Sequence, residues 1–418
     1  MLIVATVLCA LAWKPAQAQQ PLTWEQLKAR FEAANPQLKA DALAVDEMKA
    51  AEVTAYLRPN PQFTVSADGT QIARHDGVWQ PLSGTDVQNS FSYLHERDHK
   101  RELRQQSAKE GTQITASEHA DLERNLLFNL RALYIATLQA KEVYRLSKDD
   151  LEYYDHIIQI SQDRFRAGDL AQIDLDRIEL LRVQYESEMQ QAIVGLRTAK
   201  IQLLQLLNDR TPVEQFDVAG SFDFSDGIKP LEDYRNIALD NRPDLRAALL
   251  ALQQADTNHK LAEANGSTDP TFSSWYTWNS SNNNPNGLQT LGLSVNVPLR
   301  IFDRNQGEKQ RTLIDIDRNR QMTEAARAQV FSDVDSAYEQ VRSNIELLKP
   351  YKAKYNDQAL RVRDTVTYAY QHGGASLMDF LNAQSDFRQV QLAYVQLIGA
   401  YLTAAGQLNL AAGSEVLP

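Results

Sequence analysis

Positions with a regular spacing of three or four residues run along two long stretches of the chain. They are Leu126, Leu130, Leu133, Thr137, Ala140, Tyr144, Ser147, Leu151, Tyr154, Ile158, Ser161 and Phe165, and then Val334, Tyr338, Val341, Ile345, Leu348, Lys352, Tyr355, Ala359, Val362, Val366 and Ala369. Such spacing, mostly apolar and sustained over this length, predicts coiled-coil helices. Pro350 lies inside the second stretch and should kink or break that helix, because proline has no N–H for the helical hydrogen bond.

Each stretch is followed by a turn and by a return helix with the same spacing. The turns, 165–178 and 370–384, share one layout: an aromatic residue, a glycine three positions later and an aspartate six positions after that glycine. Two glycines cost about 2 kcal/mol inside a helix, so Gly373 and Gly374 mark a turn between helices. The pattern predicts two antiparallel coiled-coil hairpins, one in each of two internal repeats.

Alternation of apolar and polar residues predicts a pair of β-strands in each half. Every odd position of Leu291–Leu299 is apolar, and its partner Thr271–Trp278 is rich in aromatic residues. An Asn-rich loop at 280–287 joins the two. Phe63–Ala67 and Val87–Leu94 alternate more weakly. The strand length is that of a membrane-spanning strand, but half-buried strands of a soluble sheet have the same period, so both interpretations stay open.

The two halves of the chain also open alike. Each begins with a short helix that is broken before a proline, Pro36 or Pro243, and continues into an Ala-rich helix. We therefore expect a first repeat at 19–210, a linker at 211–230 and a second repeat at 231–418. The whole is a mainly α protein with a small β part.

The first 18 residues have the features of a secretory signal peptide. An apolar run, Leu2–Trp13, precedes the small-residue cleavage motif Ala16-Gln-Ala18, and the run is short of the ~20 residues of a transmembrane helix. Cleavage after Ala18 would remove Cys9, the only cysteine, and leave a periplasm-facing chain without thiols. The formal charge of −11 argues against nucleic acid as a partner.

The two hairpin turns resemble the tips of TolC-like outer-membrane efflux proteins, whose halves each hold two strands and long coiled helices. The segment Val297–Gly307, with Phe302-Asp-Arg-Asn-Gln-Gly307, resembles the strand-to-helix junction of the cobalt-zinc-cadmium efflux branch. Resemblance to this family implies a homotrimer in which each chain gives four strands to a 12-stranded barrel in outer-membrane lipid. It also implies an α-barrel in the periplasm.

The implied function is the exit duct of a tripartite efflux pump that exports divalent cations such as cobalt, zinc or cadmium. Its implied partners are a periplasmic adaptor protein and a proton-driven inner-membrane transporter of the RND type. Two alternatives stay open: a duct for drugs or for type I protein secretion, and a secreted structural coiled-coil protein. The latter explains the helices, but it leaves the signal peptide and the strand at 291–299 unaccounted for.

No pattern in the sequence predicts an enzyme, a cofactor or a metal site. P-loop, G-x-S-x-G and H-E-x-x-H motifs are absent from the sequence. His95 and His99 would have the spacing of a metal pair on a helix, but their polar neighbours favour a surface turn. His372, beside a tip glycine, is expected to be solvated, although contact with an adaptor or a role in pH sensing stays open.

The tips carry the candidate functional residues. Asp174 and Asp379 begin the return helices, where the helix dipole stabilises an acid whatever its function. The resemblance implies a second role, a periplasmic gate in which Asp379 and Asn382 face the lumen and Tyr370 bonds to Asp174 of a neighbouring hairpin. Family members often have a second aspartate at the position of Asn382. The tip glycines Gly168, Gly373 and Gly374 would contact the adaptor.

Overall fold

The computed structural model describes residues 20–279 and 287–417. The predicted signal peptide and most of the Asn-rich loop lie outside the described residues. The same order of elements occurs twice: two helices, two strands and a helical hairpin. The first set is α1 (Trp24–Ala34), α2 (Pro36–Tyr56), β1 (Gln62–Asp68), β2 (Asp86–Leu94), α3 (Lys100–Ala167) and α4 (Gln172–Leu206). The second is α5 (Leu231–Asn241), α6 (Pro243–Asn265), β3 (Thr271–Trp278), β4 (Gln289–Asn296), α7 (Gln306–Pro350), a π-helical turn (Tyr351–Tyr355), α8 (Asn356–Gln371) and α9 (Leu377–Ala412).

The predicted hairpins are confirmed. Helix α3 runs unbroken for 68 residues, and α4 returns against it. The two helices pack through the predicted stripe: Tyr154 of α3 stacks on Tyr185 of α4 with ring centroids 4.1 Å apart, and both side chains are buried. Mainly small or apolar residues fill this seam, which is how coiled helices exclude water.

A kink or a break was predicted for the second long helix at Pro350. The helix does not break there. Pro350 keeps helical backbone angles, φ −63° and ψ −34°, and a π-helical turn follows in which Asn356 N–H bonds to Tyr351 O. One extra residue in a turn rotates everything after it by about 100°. Of the predicted stripe, Lys352 and Tyr355 inside this turn and Val362 after it are exposed on this chain, whereas Ile345 and Leu348 before the proline are buried.

The four strands of the described residues form one antiparallel sheet in the order β1-β2-β3-β4. The predicted positions of all four strands are confirmed, except that β4 ends at Asn296 rather than Leu299. Pro298 explains the early end, because a proline cannot donate to a strand ladder. Helices adjoin only one end of the sheet, where β1 and β3 begin and β2 and β4 end.

The chain packs as two compact units, and each takes segments from both repeats. One unit contains the strands and comprises Lys39–Leu122 and Arg242–Phe331. The other comprises the chain up to Leu38, Glu123–Asn241 and the chain from Ser332 onward. The predicted linker belongs to this second unit and is well packed: Phe216 and Val218 are buried, and Leu22 forms a parallel bridge with Val218. Among the described residues, no helix has the length and apolarity needed to cross a membrane.

Candidate functional site

The sheet has one apolar face and one polar face. Strand pairing places Phe63 opposite Phe91, Tyr93 opposite Phe272, and Tyr276 opposite Leu291. Because side chains alternate across a strand, the odd positions of β1, β2 and β4 share one face with the even positions of β3. That face is mainly aromatic and aliphatic. The other face is mainly Ser, Thr, Gln and Asn, and includes Thr64, Ser90, Ser273, Thr290 and Ser294.

The apolar face is uncovered. Leu291 and Leu293 are 76% and 77% exposed, and Phe63 is 69% exposed. A soluble half-buried sheet would have its apolar side packed against the core, so the structure contradicts that interpretation of the alternation. The sheet is also open: in the described part of the chain, β1 and β4 each pair on one side only. Such edges need either water or another strand.

A close approach on the polar face explains the glycine in β4. Trp275 lies across Gly292, its partner in the strand register. A Cβ atom on Gly292 would fall 2.1 Å from Cε2 of Trp275, far inside van der Waals contact. Only glycine fits under the indole at this position, so the tryptophan is held flat against the strand.

A cluster of buried side chains joins the ends of the two hairpins. Its members are Ile157 and Ile158 of α3, Ile178 of α4, Tyr370 of α8, and Leu377 and Phe380 of α9. Phe380 is completely buried and stacks on Tyr370 with centroids 4.9 Å apart. We call this group the tip cluster. It fixes the four helix ends against one another by excluding water from their contact.

Both tip turns have the same backbone geometry, as the repeated motif predicts. Gly168 and Gly373 adopt left-handed angles, φ +86° and +77°. In each turn the N–H of the residue after this glycine bonds to the carbonyl five positions earlier: Asp169 to Arg164 O, and Gly374 to Ala369 O. This arrangement satisfies the last carbonyls of a helix and favours glycine, which alone has no Cβ penalty at positive φ.

Asp379 is part of a helix cap. Its N–H donates to Oγ of Ser376 (3.2 Å), while its Oδ2 accepts from the N–H and Oγ of Ser376 (3.2 and 2.6 Å). The carboxylate is exposed, and these bonds hold the pKa of Asp379 below its usual value. Asp174 is the third residue of α4 as Asp379 is of α9, but Ala171 stands at the capping position and offers no side-chain partner.

Tyr370 is buried at the hairpin tips. Its ring lies between Phe380 and the guanidinium of Arg164, whose carbon is 5.1 Å from the ring centre. Burial raises the pKa of the Tyr370 phenol; the positive charge of Arg164 opposes this rise, and the nearby Asp174 carboxylate adds to it more weakly. The structure therefore brings Tyr370 and Asp174 into one neighbourhood. The phenol oxygen lies beside Ser161. Within the described residues, however, neither Asp174 nor any other group is placed to form a hydrogen bond with it.

Asn382 lies near Asp379 on an exposed groove between α8 and α9. Asp386 lines the same groove, although it lies outside the tip motif. The spacing of these three residues, i, i+3 and i+7, is the signal that could have found it, because such positions share one helix face. The result is a polar stripe with two carboxylates that leads away from the tip along α9.

A half-buried ion cluster lies further along the hairpins. Arg388 of α9 contacts Glu188 of α4 through Nη2 and Asp150 of α3 through Nε at 3.2 Å. Its guanidinium also lies over the ring of Tyr185, 4.8 Å from the centroid. Burial raises the pKa of Asp150 to about 6 despite the neighbouring arginine. The cluster ties three helices of the two hairpins together.

The histidines take up no metal arrangement. His95 and His99 precede α3 in an exposed turn, as the surface interpretation predicts, so they do not share a helix face. His372 is exposed too: its ring lies 4.0 Å from that of Tyr368 at an angle of 30°, and its Nδ1 lies 2.8 Å from Tyr368 O. In residues 20–279 and 287–417, no group of three His, Cys, Asp or Glu side chains is placed to hold a metal ion.

The sequence is similar to those of outer membrane efflux and export proteins. The family described as outer membrane efflux protein matches residues 235–414. The cobalt-zinc-cadmium resistance protein CzcC of Cupriavidus metallidurans is 22% identical over 408 residues, which cover 94% of this chain and 91% of that protein. The pyoverdine export outer membrane protein OpmQ of Pseudomonas aeruginosa is 23% identical over 376 residues, covering 86% of this chain and 78% of that protein.

The fold is that of solved outer membrane channels. The crystal structure of the CmeC outer membrane channel of Campylobacter jejuni superposes with a TM-score of 0.75 at 15% identity, and covers 98% of this chain and 92% of that one. At this identity the likeness establishes the fold and leaves the cargo open.

Proposed function

We propose that the chain is a member of the outer membrane efflux protein family, whose model matches residues 235–414, and that it is the exit duct of a tripartite efflux pump. The duct is a homotrimer in the outer membrane, with its helical hairpins in the periplasm. It carries out no catalysis and holds no cofactor. A periplasmic adaptor meets the hairpin tips, at the glycine turns of Gly168, Gly373 and Gly374, and an RND-type transporter in the inner membrane drives transport.

The two-faced sheet is the observation that carries this proposal. Leu291, Leu293 and Phe63 expose an apolar surface that water disfavours and lipid accepts, while Ser and Thr line the opposite face, as a lumen requires. Four strands cannot close a barrel, and an open edge is not tolerated in lipid. Pooling the strands of three chains, twelve in all, pairs every edge.

The tips form the gate of this duct. Asp379, Asn382 and Asp386 line one exposed groove. In the proposed trimer this groove faces the lumen, so that three copies place like charges around one axis. A ring of carboxylates attracts cations and raises the cation selectivity of the pore. A bond from the Tyr370 phenol to Asp174, worth ~1.5–3 kcal/mol per copy, helps to hold the gate closed in the assembled trimer.

Two substitutions test the gate. Asp379→Ala should weaken cation selectivity, because it removes the ring of charge, while it leaves the trimer intact. Tyr370→Phe keeps the buried ring and removes only the hydroxyl, so it should shift the resting channel towards open. Conductance and reversal potential in planar bilayers measure both effects. If selectivity and conductance stay at wild-type values, Asp379 is only a helix cap and Tyr370 only a packing residue.

The cargo we propose is divalent metal, with cobalt, zinc and cadmium as the candidates. Similarity to CzcC over nearly the full chain and the Phe302–Gly307 motif support this choice. The duct needs no metal site of its own, since a transporter upstream can select the ion. Deleting the gene should sensitise cells to these metals, and the intact gene should restore tolerance. Unchanged metal tolerance together with new sensitivity to drugs, or loss of an exported product, would favour the more general duct represented by OpmQ.

A further inference from the structure

The segment that follows β4 has exposed apolar side chains that the duct function does not explain. In this segment, 297–304, which we call the junction loop, Leu299 is 77% exposed, Ile301 61% and Phe302 91%. Exposed large apolar side chains in sequence mark a surface that meets something other than water. The junction loop continues directly from a strand whose outward side chains, Leu291, Leu293 and Val295, are also uncovered.

Hydrogen bonds within the loop and with α6 give the junction loop a fixed shape. Asn305, at φ +62°, donates its N–H to Oδ1 of Asp303 (2.8 Å) and its side-chain amide to Ala262 O (2.7 Å). Gln306 donates to Phe302 O (3.2 Å) and accepts from Arg304 N–H (2.8 Å). The polar residues of the motif are therefore engaged in building a turn, and Phe302 is left pointing away from any cover.

Cationic side chains occupy the same end of the sheet. Arg58 precedes β1, Arg97 follows β2, and Arg304 closes the junction loop. All three side chains are exposed, and in the part of the chain that the structure describes none of their guanidinium groups forms an ion pair with a carboxylate. Two other cations nearby are paired with carboxylates: Lys100 with Asp269 at 2.6 Å, and Arg104 with Glu96. Exposed arginines beside apolar and aromatic side chains are the composition of a membrane interface.

We propose that the junction loop is a membrane-surface anchor for the phospholipid leaflet at the helix end of the sheet. Leu299, Ile301 and Phe302 enter the boundary between headgroups and acyl chains, and Arg58, Arg97 and Arg304 meet the lipid phosphates. A free phosphate ion would engage the arginines but would leave the apolar side chains in water. The inference rests on the proposed function, since it requires the sheet to lie in a membrane.

Spin labelling of the full-length protein tests the anchor. In a Cys9→Ser background, which removes the only cysteine, Phe302→Cys is labelled with a nitroxide and the protein is reconstituted into phosphatidylethanolamine–phosphatidylglycerol vesicles. Leu293→Cys reports on the apolar face of the sheet, and Met322→Cys, on an exposed position of α7, reports on water. The ratio of collision rates with oxygen and with a water-soluble nickel complex measures depth. We expect this ratio to be several-fold higher at 302 than at 322.

The control positions separate the possible failures. A lipid signal at 293 with a water signal at 302 would overturn the anchor and leave the duct standing. A water signal at 293 would overturn the duct itself. A label at 302 that meets neither reagent would mean that protein covers the loop, and would overturn the anchor too. Changing Arg58, Arg97 and Arg304 together to Gln should move the label at 302 towards water, and an unchanged ratio would refute the phosphate contacts.

Discussion

Leu293→Arg should abolish assembly of the protein in the outer membrane. Leu293 lies near the middle of β4 on the apolar face and is 77% exposed. In a soluble protein an arginine there would be harmless, because the side chain already meets solvent. In lipid, an arginine near the bilayer midplane costs about 2–4 kcal/mol, and a trimer bears this cost in each of its three copies. The amount of heat-sensitive trimer extracted from outer membranes measures the effect.

Ser294→Arg is the matched control for this prediction. Ser294 is the next residue of the same strand, is also exposed, and lies on the polar face. The substitution adds the same charge and the same bulk but directs them towards the lumen, so trimer recovery should stay close to wild type. Equal trimer recovery of both variants would show that the apolar face does not meet lipid. Loss of the trimer in Ser294→Arg but not in Leu293→Arg would mean that the polar face meets lipid.

Phe380→Ala should loosen the hairpin tips and raise the conductance of the resting channel. Phe380 is completely buried in the tip cluster and stacks on Tyr370, so it joins α9 to the end of α8. Truncating a buried phenylalanine to alanine costs about 3–5 kcal/mol, through lost burial and the cavity that remains. The loss is local to the four helix ends. Planar-bilayer conductance and protease cleavage at the tips measure it.

Met378→Ala serves as the control for the tip. Met378 stands two residues earlier on the same helix and is 56% exposed, so its truncation removes little buried surface. We expect wild-type conductance and cleavage for this variant. A Phe380→Ala protein that is as closed and as protease-resistant as the Met378→Ala protein would show that the tip cluster plays no part in closure.

Hydrophobic periodicity predicts the hairpins and strands well, because each is a local property of the chain. The stripe through Tyr154 and Ile158 is buried, and the repeated glycine motif locates both turns. The consequence of Pro350 could not be predicted from the sequence. A helix can relieve the missing hydrogen bond by a kink, a break or an added residue, and only packing of the following turn decides among them. Tyr351 stacking on Tyr394 at 6.1 Å is part of that packing.

In the candidate site, too, local features can be predicted from the sequence and packing between elements cannot. The positions of the aspartates in the first turns of α4 and α9 follow from the motif, since the start of a helix is a local property of the chain. Burial of Tyr370 between Phe380 of its own hairpin and Arg164 of the other depends on how the two hairpins meet, and no pattern in either hairpin specifies it. Likewise, alternation alone could not decide between a soluble and a membrane sheet. The strand pairing shows which side chains share each face of the sheet. The exposure of Leu291 and Leu293 then shows that the apolar face is not buried.

The most direct test of the duct is the electrical behaviour of the purified full-length protein in a planar lipid bilayer. We predict discrete, cation-selective conductance steps, small or infrequent for the wild type and larger or more frequent for Phe380→Ala. Protein that is extracted from outer membranes and inserts into the bilayer, yet gives no steps in either form, would contradict the account.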